Sequence, residues 1–591
     1  MNRNMTARAI LVAIVAILPF LTFISPFWFT LLTVIGISSL VALGISLLTG
    51  VGGMTSFGQA AFVGFGAYTT AWLTTALGWP PLLSLPASIA VTGAAAMLIG
   101  SVTVRLSGHY LALGTIAWGV ALYYLFGNLA FIGGHTGISG IPPVTLFGYS
   151  LIDVRAYFAL VWVMVILACW GATNLLDSRL GRAFRTLRHG TLAARASGID
   201  VGREKLRIFV CAALLAGLAG WLMAHFQRTV SQGSFSIAIG IEFLLMAVLG
   251  GTGSVYGAVL GSALVVVSKS VLQAALPLLF GAEGNYEGLV FGLLLVGVLQ
   301  VAPGGLWPYL TRRWPRARLV GPEAEGLPAA PLPAAAGPLL EARGIRKVFG
   351  GLVAVKDVDF SVRKGEIVGL IGPNGAGKST TFNLLTGVLT PTAGEVAFCG
   401  EPLAGAGRIF TPEDAARHRI ARTFQHVKLS ADMSVLDNVA IGATQRAHAG
   451  LISSLLHRER DEEKRLLAEA IRQIRRVGLA DQMHRPAGEL ALGQQRLVEI
   501  ARALCLDPVL LLMDEPAAGL RRAEKDALAE LLRQLRSEGM SILLVEHDMD
   551  FVMKLTDHLV VMNFGAKIAE GTPGEVRRNE AVVKAYLGED E

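Results

Sequence analysis

The sequence GPNGAGKST, Gly372 to Thr380, follows an apolar run and fits the phosphate-loop pattern GxxxxGK[ST] at every fixed position. Glycines without a Cβ let such a loop turn its N–H groups toward a phosphate at the start of the next helix. Lys378 is expected to reach the β- and γ-phosphates, and Ser379 to bind Mg²⁺. The segment therefore predicts ATP binding. The predicted phosphate-binding residues are Gly372, Pro373, Asn374, Gly375, Ala376, Gly377, Lys378, Ser379 and Thr380.

The composition separates a membrane part from a soluble part. Apolar residues make up 53% of the chain and charged residues only 16%, which is typical of an integral membrane protein. Residues 1–320 hold 18 Lys and Arg against 7 Asp and Glu, whereas residues 321–591 hold 33 against 37. The basic excess lies in short loops between apolar segments, as in cytoplasmic loops of membrane proteins, and argues against nucleic-acid binding.

The first 310 residues predict an all-α membrane domain with about ten spans. The apolar segments lie near residues 8–25, 29–49, 59–77, 82–103, 110–132, 154–176, 207–228, 237–252, 254–280 and 286–303. Arginines and lysines at 179–205 and 312–318 place those loops in the cytoplasm, and the N-terminus with them. Four widely spaced cysteines indicate neither a disulfide nor a metal site.

Two glycine-rich stretches, residues 50–68 and 250–264, are candidates for the path of a substrate through the membrane. Tight helix packing explains their small residues equally well. Glu242, Lys269 and Glu287 are charged residues within or beside the later spans, and such residues are often functional.

The loop at residues 180–205 contains AARASG. This resembles the AAxxxG core of the loop by which permeases of ABC importers dock on their ATPase, although Leu192 stands where a Glu often does. The alternative is a basic amphipathic segment that lies on anionic lipid. From residue 311 to 338 proline and alanine dominate, which predicts a semi-extended linker. The expected domains are a permease at 1–310, this linker, and an ATPase at 339–591.

The ATPase part has further motifs in the order found in ABC nucleotide-binding domains, which have an α/β P-loop fold. Phe349, with Val355 beside it, lies where an aromatic stacks on adenine. Gln425 holds the Q-loop position, which is expected to contact Mg²⁺ or the attacking water. VLLLMDEP ends an apolar strand in two acids: Asp514 for the Mg²⁺ shell and Glu515 as general base. SILLVEH ends in His547, which matches the histidine that senses the γ-phosphate.

Two positions depart from the ABC pattern. The signature, usually LSGGQ, is LALGQ here, so Ala491 replaces the serine that contacts the γ-phosphate of the partner's ATP. Arg521 stands where a D-loop usually has Asp or Asn. Neither change affects the chain's own phosphate loop or acid pair. The signature residues expected at the composite site are Leu490, Ala491, Gly493 and Gln494.

Longer stretches, including RTFQHVKL, DEPAAGL, VEHDM and VKAYLGE, resemble the permease and ATPase subunits of the high-affinity branched-chain amino acid uptake family, fused into one chain. The resemblance implies an ATP-driven importer subunit of the bacterial inner membrane, with its ATPase in the cytoplasm. It implies a solute-binding protein, and either second permease and ATPase subunits or a homodimer. Alternatives are import of urea or short amides by the same family, or a nucleotide-regulated membrane channel or receptor. An ABC exporter, with about six long spans, is a further rival.

Overall fold

The structure, a computed structural model, describes residues 17–21, 23–106, 108–280, 287–311, 325–331, 337–405 and 407–587. The chain forms two compact units. The first consists of Met1–Asp177 and Gly202–Arg316, and the second of Ser178–Val201 and Ala317–Glu591. A short stretch from the middle of the permease half therefore belongs to the same unit as the ATPase.

The first unit is built from helices of largely apolar sequence. Its helices are Pro26–Ile45, continued by a π-helical turn Ser46–Val51, then Gln59–Thr75, Pro81–Thr103, His109–Asn128, Val154–Leu176, Val201–Gln227, Ile237–Gly250, Val255–Phe280, Glu287–Val301 and Leu306–Thr311. Two-residue strands lie in the connections, at Ile138–Ser139, Thr145–Leu146, Tyr149–Ser150 and Thr229–Val230. Proline stands at the first position of two of these helices, Pro26 and Pro81, where its missing N–H leaves no hydrogen bond unmade.

The predicted count of about ten spans is not confirmed. Among the described residues, six helices are long and apolar enough to cross a membrane, namely Pro26–Val51, Pro81–Thr103, His109–Asn128, Val154–Leu176, Val201–Gln227 and Val255–Ala275. The expected segments at 59–77, 237–252 and 286–303 form helices of 17, 14 and 15 residues, at or below the shortest length that spans the bilayer. The expected segment at 8–25 lies mostly outside the described residues and ends in a short 3₁₀ turn, Leu18–Phe20.

The two glycine-rich stretches meet each other. A Cβ added to Gly50 would lie 2.0 Å from the backbone nitrogen of Gly253, and the Ser46 hydroxyl accepts a hydrogen bond of 2.9 Å from that nitrogen. Likewise a Cβ on Gly261 would lie 1.9 Å from the carbonyl oxygen of Met246. At these positions the glycines let backbones approach closely, which agrees with the packing interpretation.

Two of the three charged residues predicted near the later spans, Glu242 and Lys269, form an ion pair. Lys269 Nζ lies 3.1 Å from Glu242 Oε2, so the neighbouring helices Ile237–Gly250 and Val255–Phe280 are joined by it. Pairing of this kind lowers the cost of placing charges in apolar surroundings. Glu287 begins a helix, and its side chain lies outside the described part of the structure.

The second unit contains two sheets. A six-stranded sheet has the order Ile420–Arg422, Leu510–Asp514, Ser541–Val545, Ile367–Ile371, His558–Asn563 and Ala566–Gly571, with only the last strand antiparallel. A four-stranded antiparallel sheet has the order Leu352–Val362, Leu340–Phe349, Ala393–Phe398 and Glu401–Gly405. Every residue is buried in three neighbouring inner strands of the larger sheet, Leu510–Asp514, Ser541–Val545 and Ile367–Ile371, as expected for a parallel sheet covered on both faces.

Helices surround these sheets. They are Arg179–His189, Thr191–Ala196, Lys378–Leu385, Pro412–Arg417, Val435–Ala440, Leu451–Leu455, Arg460–Arg476, Leu492–Leu504, Arg522–Ser537, Met549–Leu555, Pro573–Arg578 and Glu580–Leu587, with a 3₁₀ turn at Ile441–Arg446. The parallel strands end together at one edge of the larger sheet, and the phosphate loop, the acid pair and the switch histidine follow these strand ends. Ligands of open α/β sheets bind at this edge.

Candidate active site

The phosphate loop joins the strand Ile367–Ile371 to the helix Lys378–Leu385. Gly377 has φ +96°, and a Cβ there would lie 2.5 Å from the carbonyl oxygen of Ala354, so only glycine fits without a shift. Lys378 Nζ donates hydrogen bonds to the carbonyl oxygens of Gly372 and Pro373, at 2.6 and 2.8 Å. The lysine is thus held over the loop, at the N-terminus of the helix, where an anion is stabilised.

The acid pair follows the strand Leu510–Asp514. Asp514 is 8% exposed, and burial raises its pKa, while the nearby charge of Arg422 opposes the shift. Its Oδ1 atom is buried and has no hydrogen-bond partner among the described residues. A buried carboxylate oxygen without a partner and the exposed hydroxyl of Ser379 are both oxygen donors of the kind that Mg²⁺ prefers.

The three predicted catalytic side chains lie together, with Gln425 and His547 beside the carboxylate of Glu515. Gln425 Nε2 donates a 3.1 Å hydrogen bond to Glu515 Oε2, and His547 Nδ1 lies 3.7 Å from the same oxygen. Glu515 has φ +48°, a backbone conformation that is costly for a residue with a side chain. The structure therefore brings Gln425, Glu515 and His547 together, at the edge of the sheet that carries the phosphate loop.

Two residues that the sequence did not single out support this group. Arg496, from the helix after the signature, donates to the carbonyl oxygens of Glu515 at 2.9 Å and Gln425 at 3.3 Å. Glu546 is completely buried and accepts from the backbone N–H groups of Ala517, at 2.6 Å, and His547, at 3.2 Å. Burial raises the pKa of Glu546. Its position before His547, at the end of an apolar strand, was the available signal, whereas nothing in the sequence indicated that Arg496 reaches back to these carbonyls.

The two adenine candidates differ in exposure. Phe349 ends a strand, is 43% exposed, and has Lys347 Nζ 5.3 Å from its ring centroid. Val355 is completely buried in the core between the two sheets. In this conformation the ring of Phe349 is accessible to an adenine base, whereas the buried side chain of Val355 is not.

The last three residues of the signature LALGQ begin the helix Leu492–Leu504, and Leu490 and Ala491 precede it. Ala491 takes the position before the helix, and its backbone N–H donates to Gln494 Oε1 at 3.4 Å. Gly493 lies close to the next helix, since a Cβ there would be 2.9 Å from Glu524 Oε1. Arg521 precedes that helix, and its backbone N–H donates to Glu524 Oε2 at 2.8 Å. Both departures from the ABC pattern therefore lie at helix starts.

The residues before the Q-loop form a buried network. The guanidinium of Arg422 lies between two rings, 4.9 Å from the centroid of Phe382 and 4.7 Å from that of Phe424. It donates to Asn383 Oδ1 at 3.2 Å, in the helix that begins at the phosphate loop, and to Thr386 Oγ1 at 2.7 Å, directly after that helix. Burial lowers the pKa of Arg422 to about 10, so the guanidinium remains charged at neutral pH. Arg422 therefore links the strand before the Q-loop to the phosphate-loop helix.

The segment Ser178–Val201, called the docking segment below, packs within the ATPase unit. Most of its apolar residues are buried, among them Phe184 and Ala194 with no exposed surface. Arg179 donates to the carbonyl oxygens of Thr444 and Ala449, each at 2.7 Å. This packing confirms the prediction that the loop docks on the ATPase and argues against a segment that lies on lipid.

The docking segment also lies beside the Q-loop strand. Ala193, Ala196 and Ser197 line one small cavity together with Arg422 and Phe424. Phe424 immediately precedes Gln425 in the chain. A change at the nucleotide site that moves Gln425 therefore has a short route to the docking segment.

Comparison with known proteins agrees with both halves of the chain. A family model described as a branched-chain amino acid transport system permease component matches residues 27–299. A model of the ABC transporter matches residues 355–518, and one described as a branched-chain amino acid ATP-binding cassette transporter matches residues 566–591. These matches fall within the regions in which the sequence predicted a permease and an ATPase.

Relatives are found along the ATP-binding half. The high-affinity branched-chain amino acid transport ATP-binding protein LivG of Salmonella typhimurium is 44% identical over 43% of this chain and 98% of its own length. BraF of Pseudomonas aeruginosa, of the same description, is 42% identical over 43% of this chain and 98% of its own length. A crystal structure of an ATP-binding cassette of an ABC transporter in its ADP conformation is 33% identical, covering 43% of this chain and 100% of that one, with a TM-score of 0.38.

The ATP-binding half is an ABC-type ATPase that couples ATP hydrolysis to transport. The resemblance drawn from the sequence is thus confirmed, for the permease and the ATPase alike. The chain belongs to the branched-chain amino acid ABC transporter family and joins a permease domain to an ATP-binding domain in one polypeptide.

Proposed function

We propose that this chain is an importer subunit that uses ATP to move branched-chain amino acids or related small polar solutes across the bacterial inner membrane. The observation that carries the proposal is that both halves match proteins of branched-chain amino acid transport, one by the permease model and the other by LivG. In this proposal residues 1–310 form the permease, 311–338 the linker and 339–591 the ATPase, with the N-terminus and the ATPase in the cytoplasm.

In the proposed reaction ATP lies on the phosphate loop, with adenine on Phe349. Lys378 leaves the loop carbonyls to which it now donates and pairs with the β- and γ-phosphates. Ser379, Gln425 and Asp514 would hold Mg²⁺, which neutralises charge that develops on the phosphate oxygens. This assignment rests on the unpartnered Asp514 Oδ1 described above.

Glu515 is the proposed general base. It takes a proton from the water that attacks the γ-phosphorus in line, the bond from that phosphorus to the bridging oxygen breaks, and ADP leaves with the electron pair. Gln425 and His547 both lie beside one carboxylate oxygen of Glu515. In the proposed reaction Gln425 would orient the water and His547 would sense the γ-phosphate. Arg496 positions this group through the backbone of Glu515 and Gln425.

The proposed composite site requires a second ATPase domain, because this chain has one phosphate loop and one signature. The signature residues Leu490, Ala491, Gly493 and Gln494 would face the partner's ATP. Either a homodimer or a second permease and ATPase set supplies the partner domain. In this proposal a solute-binding protein delivers the cargo from outside, which is what the family resemblance implies.

Two rival functions are less well supported. A channel or receptor that only binds nucleotide has no need of a general base. Glu515 nevertheless has a costly backbone conformation, and its carboxylate accepts a hydrogen bond from Gln425. An exporter would suit six spans, but exporters have helices that extend far into the cytoplasm, and the six candidate spans here have at most 27 residues, about 40 Å of helix. The permease match also favours import. Urea and short amides remain alternative cargoes of the same family.

The test is uptake of labelled solute into proteoliposomes that contain the chain with its partner subunits, ATP inside and a binding protein outside. We expect leucine to enter with its binding protein and not in the Glu515→Gln variant. Uptake of urea but not of leucine would show that urea is the cargo. Accumulation in the Glu515→Gln variant equal to that of the native chain would exclude ATP-driven import.

A further inference from the structure

Part of the linker is bound to the ATPase. Residues 325–331, with the sequence EGLPAAP, have no regular secondary structure, as a semi-extended linker predicts. Leu327 is nevertheless only 8% exposed and joins the apolar core that contains Leu466 and Ala470. Removing a leucine side chain from water in this way favours the bound position of the stretch. This stretch, called the linker strap below, is therefore more than a spacer.

Two arginines of the ATPase donate to carbonyl groups of the linker strap. Arg446 Nη2 donates to the carbonyl oxygen of Pro328 at 2.8 Å, and Arg419 Nη1 donates to that of Pro331 at 2.9 Å. The two acceptors lie three residues apart, which matches an extended peptide with its carbonyls presented on one side. Hydrogen bonds from a charged donor are stronger than those between neutral groups.

An acidic residue binds the N–H group between these carbonyls. Asp507 Oδ2 accepts from the backbone nitrogen of Ala330 at 2.9 Å. The same oxygen accepts from Arg419 Nη2 at 2.7 Å, so Asp507 is held in place by the arginine that also binds the linker strap. The ATPase therefore offers both donors and an acceptor to the backbone of this peptide.

The linker strap also passes close to a helix. A Cβ added to Gly326 would lie 2.8 Å from Glu469 Oε2, so the glycine permits an approach that a larger residue would hinder. Glu469 is almost completely buried, and its other oxygen lies 2.8 Å from Arg472 Nη2 and 3.7 Å from Arg446 Nη1. Arg446 therefore contacts both the linker strap and the helix Arg460–Arg476.

The 3₁₀ turn Ile441–Arg446 binds the linker strap and the docking segment through neighbouring residues. Thr444 accepts from Arg179, Gln445 Nε2 donates to the carbonyl oxygen of Gly198, and Arg446 binds Pro328. Two stretches that are far apart in the sequence thus converge on three consecutive residues. Each of them is continuous in the chain with the permease half.

We propose that residues 325–331 are an internal ligand of the ATPase, which gives the permease half a second attachment beside the docking segment and fixes the turn that receives that segment. The surface formed by Arg419, Arg446, Glu469 and Asp507 is the binding site, and an extended Leu-Pro peptide is what it fits. The inference does not depend on the identity of the transported solute.

The test compares two positions of a specific protease site in the full chain, purified in lipid nanodiscs. In one form the site lies between Ala334 and Ala335, so that after cleavage the linker strap stays covalently on the permease half. In the other it lies between Glu323 and Ala324, so that the linker strap stays on the ATPase half. The docking segment attaches both forms equally, and the rate at which the ATPase half leaves the immobilised permease half is measured in urea that releases the second form within minutes.

We expect the first form to release its ATPase half at least about tenfold more slowly, because only there does the linker strap bridge the two pieces. Leu327→Asp in the first form abolishes this difference, and Ala329→Asp, which changes an exposed residue of the same stretch, preserves it. Retained ATP binding by the Leu327→Asp form shows that its ATPase is folded. Equal release rates of the two unsubstituted forms would overturn the proposal.

Discussion

Arg182 in the docking segment forms a two-armed ion pair with Glu463 in the helix Arg460–Arg476: Nη1 lies 2.5 Å from Oε1, and Nη2 lies 3.0 Å from Oε2. The arginine side chain is 4% exposed and the glutamate 13%. Removing one partner of such a buried pair leaves an uncompensated charge, at a cost of about 3–5 kcal/mol. The pair therefore makes a strong contribution to holding the docking segment on the ATPase.

We expect Arg182→Ala to reduce the stimulation of ATP turnover by a loaded solute-binding protein at least tenfold, because the docking segment loses its main ion pair. Basal turnover should change less, since Arg182 has no contact with the nucleotide site. The measurement is ATPase activity with and without the binding protein. Partial recovery in the exchanged variant Arg182→Glu with Glu463→Arg supports the pair, whereas unchanged stimulation in Arg182→Ala would remove its role in coupling.

Glu515→Gln tests the proposed base. The amide keeps the size of the side chain and the hydrogen bond to Gln425 but takes up no proton, so steady-state hydrolysis should fall by about 10²- to 10⁴-fold. Binding of a labelled ATP analogue should stay within a few-fold of the native value. Turnover close to the native rate would show that Glu515 is not the base.

The pH dependence of Mg²⁺ activation follows from the burial of Asp514. Burial raises its pKa, so the carboxylate that would bind Mg²⁺ is protonated at a higher pH than an exposed aspartate. As the pH falls below neutrality, the Mg²⁺ concentration for half-maximal activity should therefore rise. Because Arg422 opposes this shift, Arg422→Met should move the rise to higher pH, and an identical profile in that variant would contradict the assignment.

Ala491→Ser restores the hydroxyl that ABC signatures usually have. If the signature meets the partner's ATP, the added hydrogen bond to a charged phosphate should lower the KM for ATP by roughly three- to tenfold. The matched control is Ala523→Ser, an exposed alanine in the first turn of the next helix. A KM that responds equally to both substitutions, or to neither, would mean that residue 491 does not contact nucleotide.

The motifs predicted the ATPase half more fully than apolar segments predicted the permease half. Paired acids after an apolar strand place Asp514 and Glu515 well, because parallel strands end at one edge of the sheet. The span count is not confirmed where helices are short, as in Ile237–Gly250, because an apolar segment does not fix the length of the helix that it forms. Nothing in the sequence around Val355 indicated that its side chain would be buried in the core.

Long-range contacts were the other part that the sequence could not supply. The role of Arg496 depends on a side chain reaching a strand end 19 residues away in sequence. The linker strap has the composition of a spacer, and only its fold places Leu327 in the core. The docking segment was foreseen because its AARASG motif matches a known pattern, yet the partner of Arg182 was not.

ATP-driven import by a fused permease and ATPase can be tested by measuring the ATPase activity of the purified chain in lipid nanodiscs, with its partner subunits present. Candidate solute-binding proteins are added empty or loaded with leucine, other amino acids or urea. We expect one loaded binding protein, and not its empty form, to stimulate turnover severalfold, and Glu515→Gln to remove the response. Turnover that is the same with every loaded and empty binding protein would contradict import.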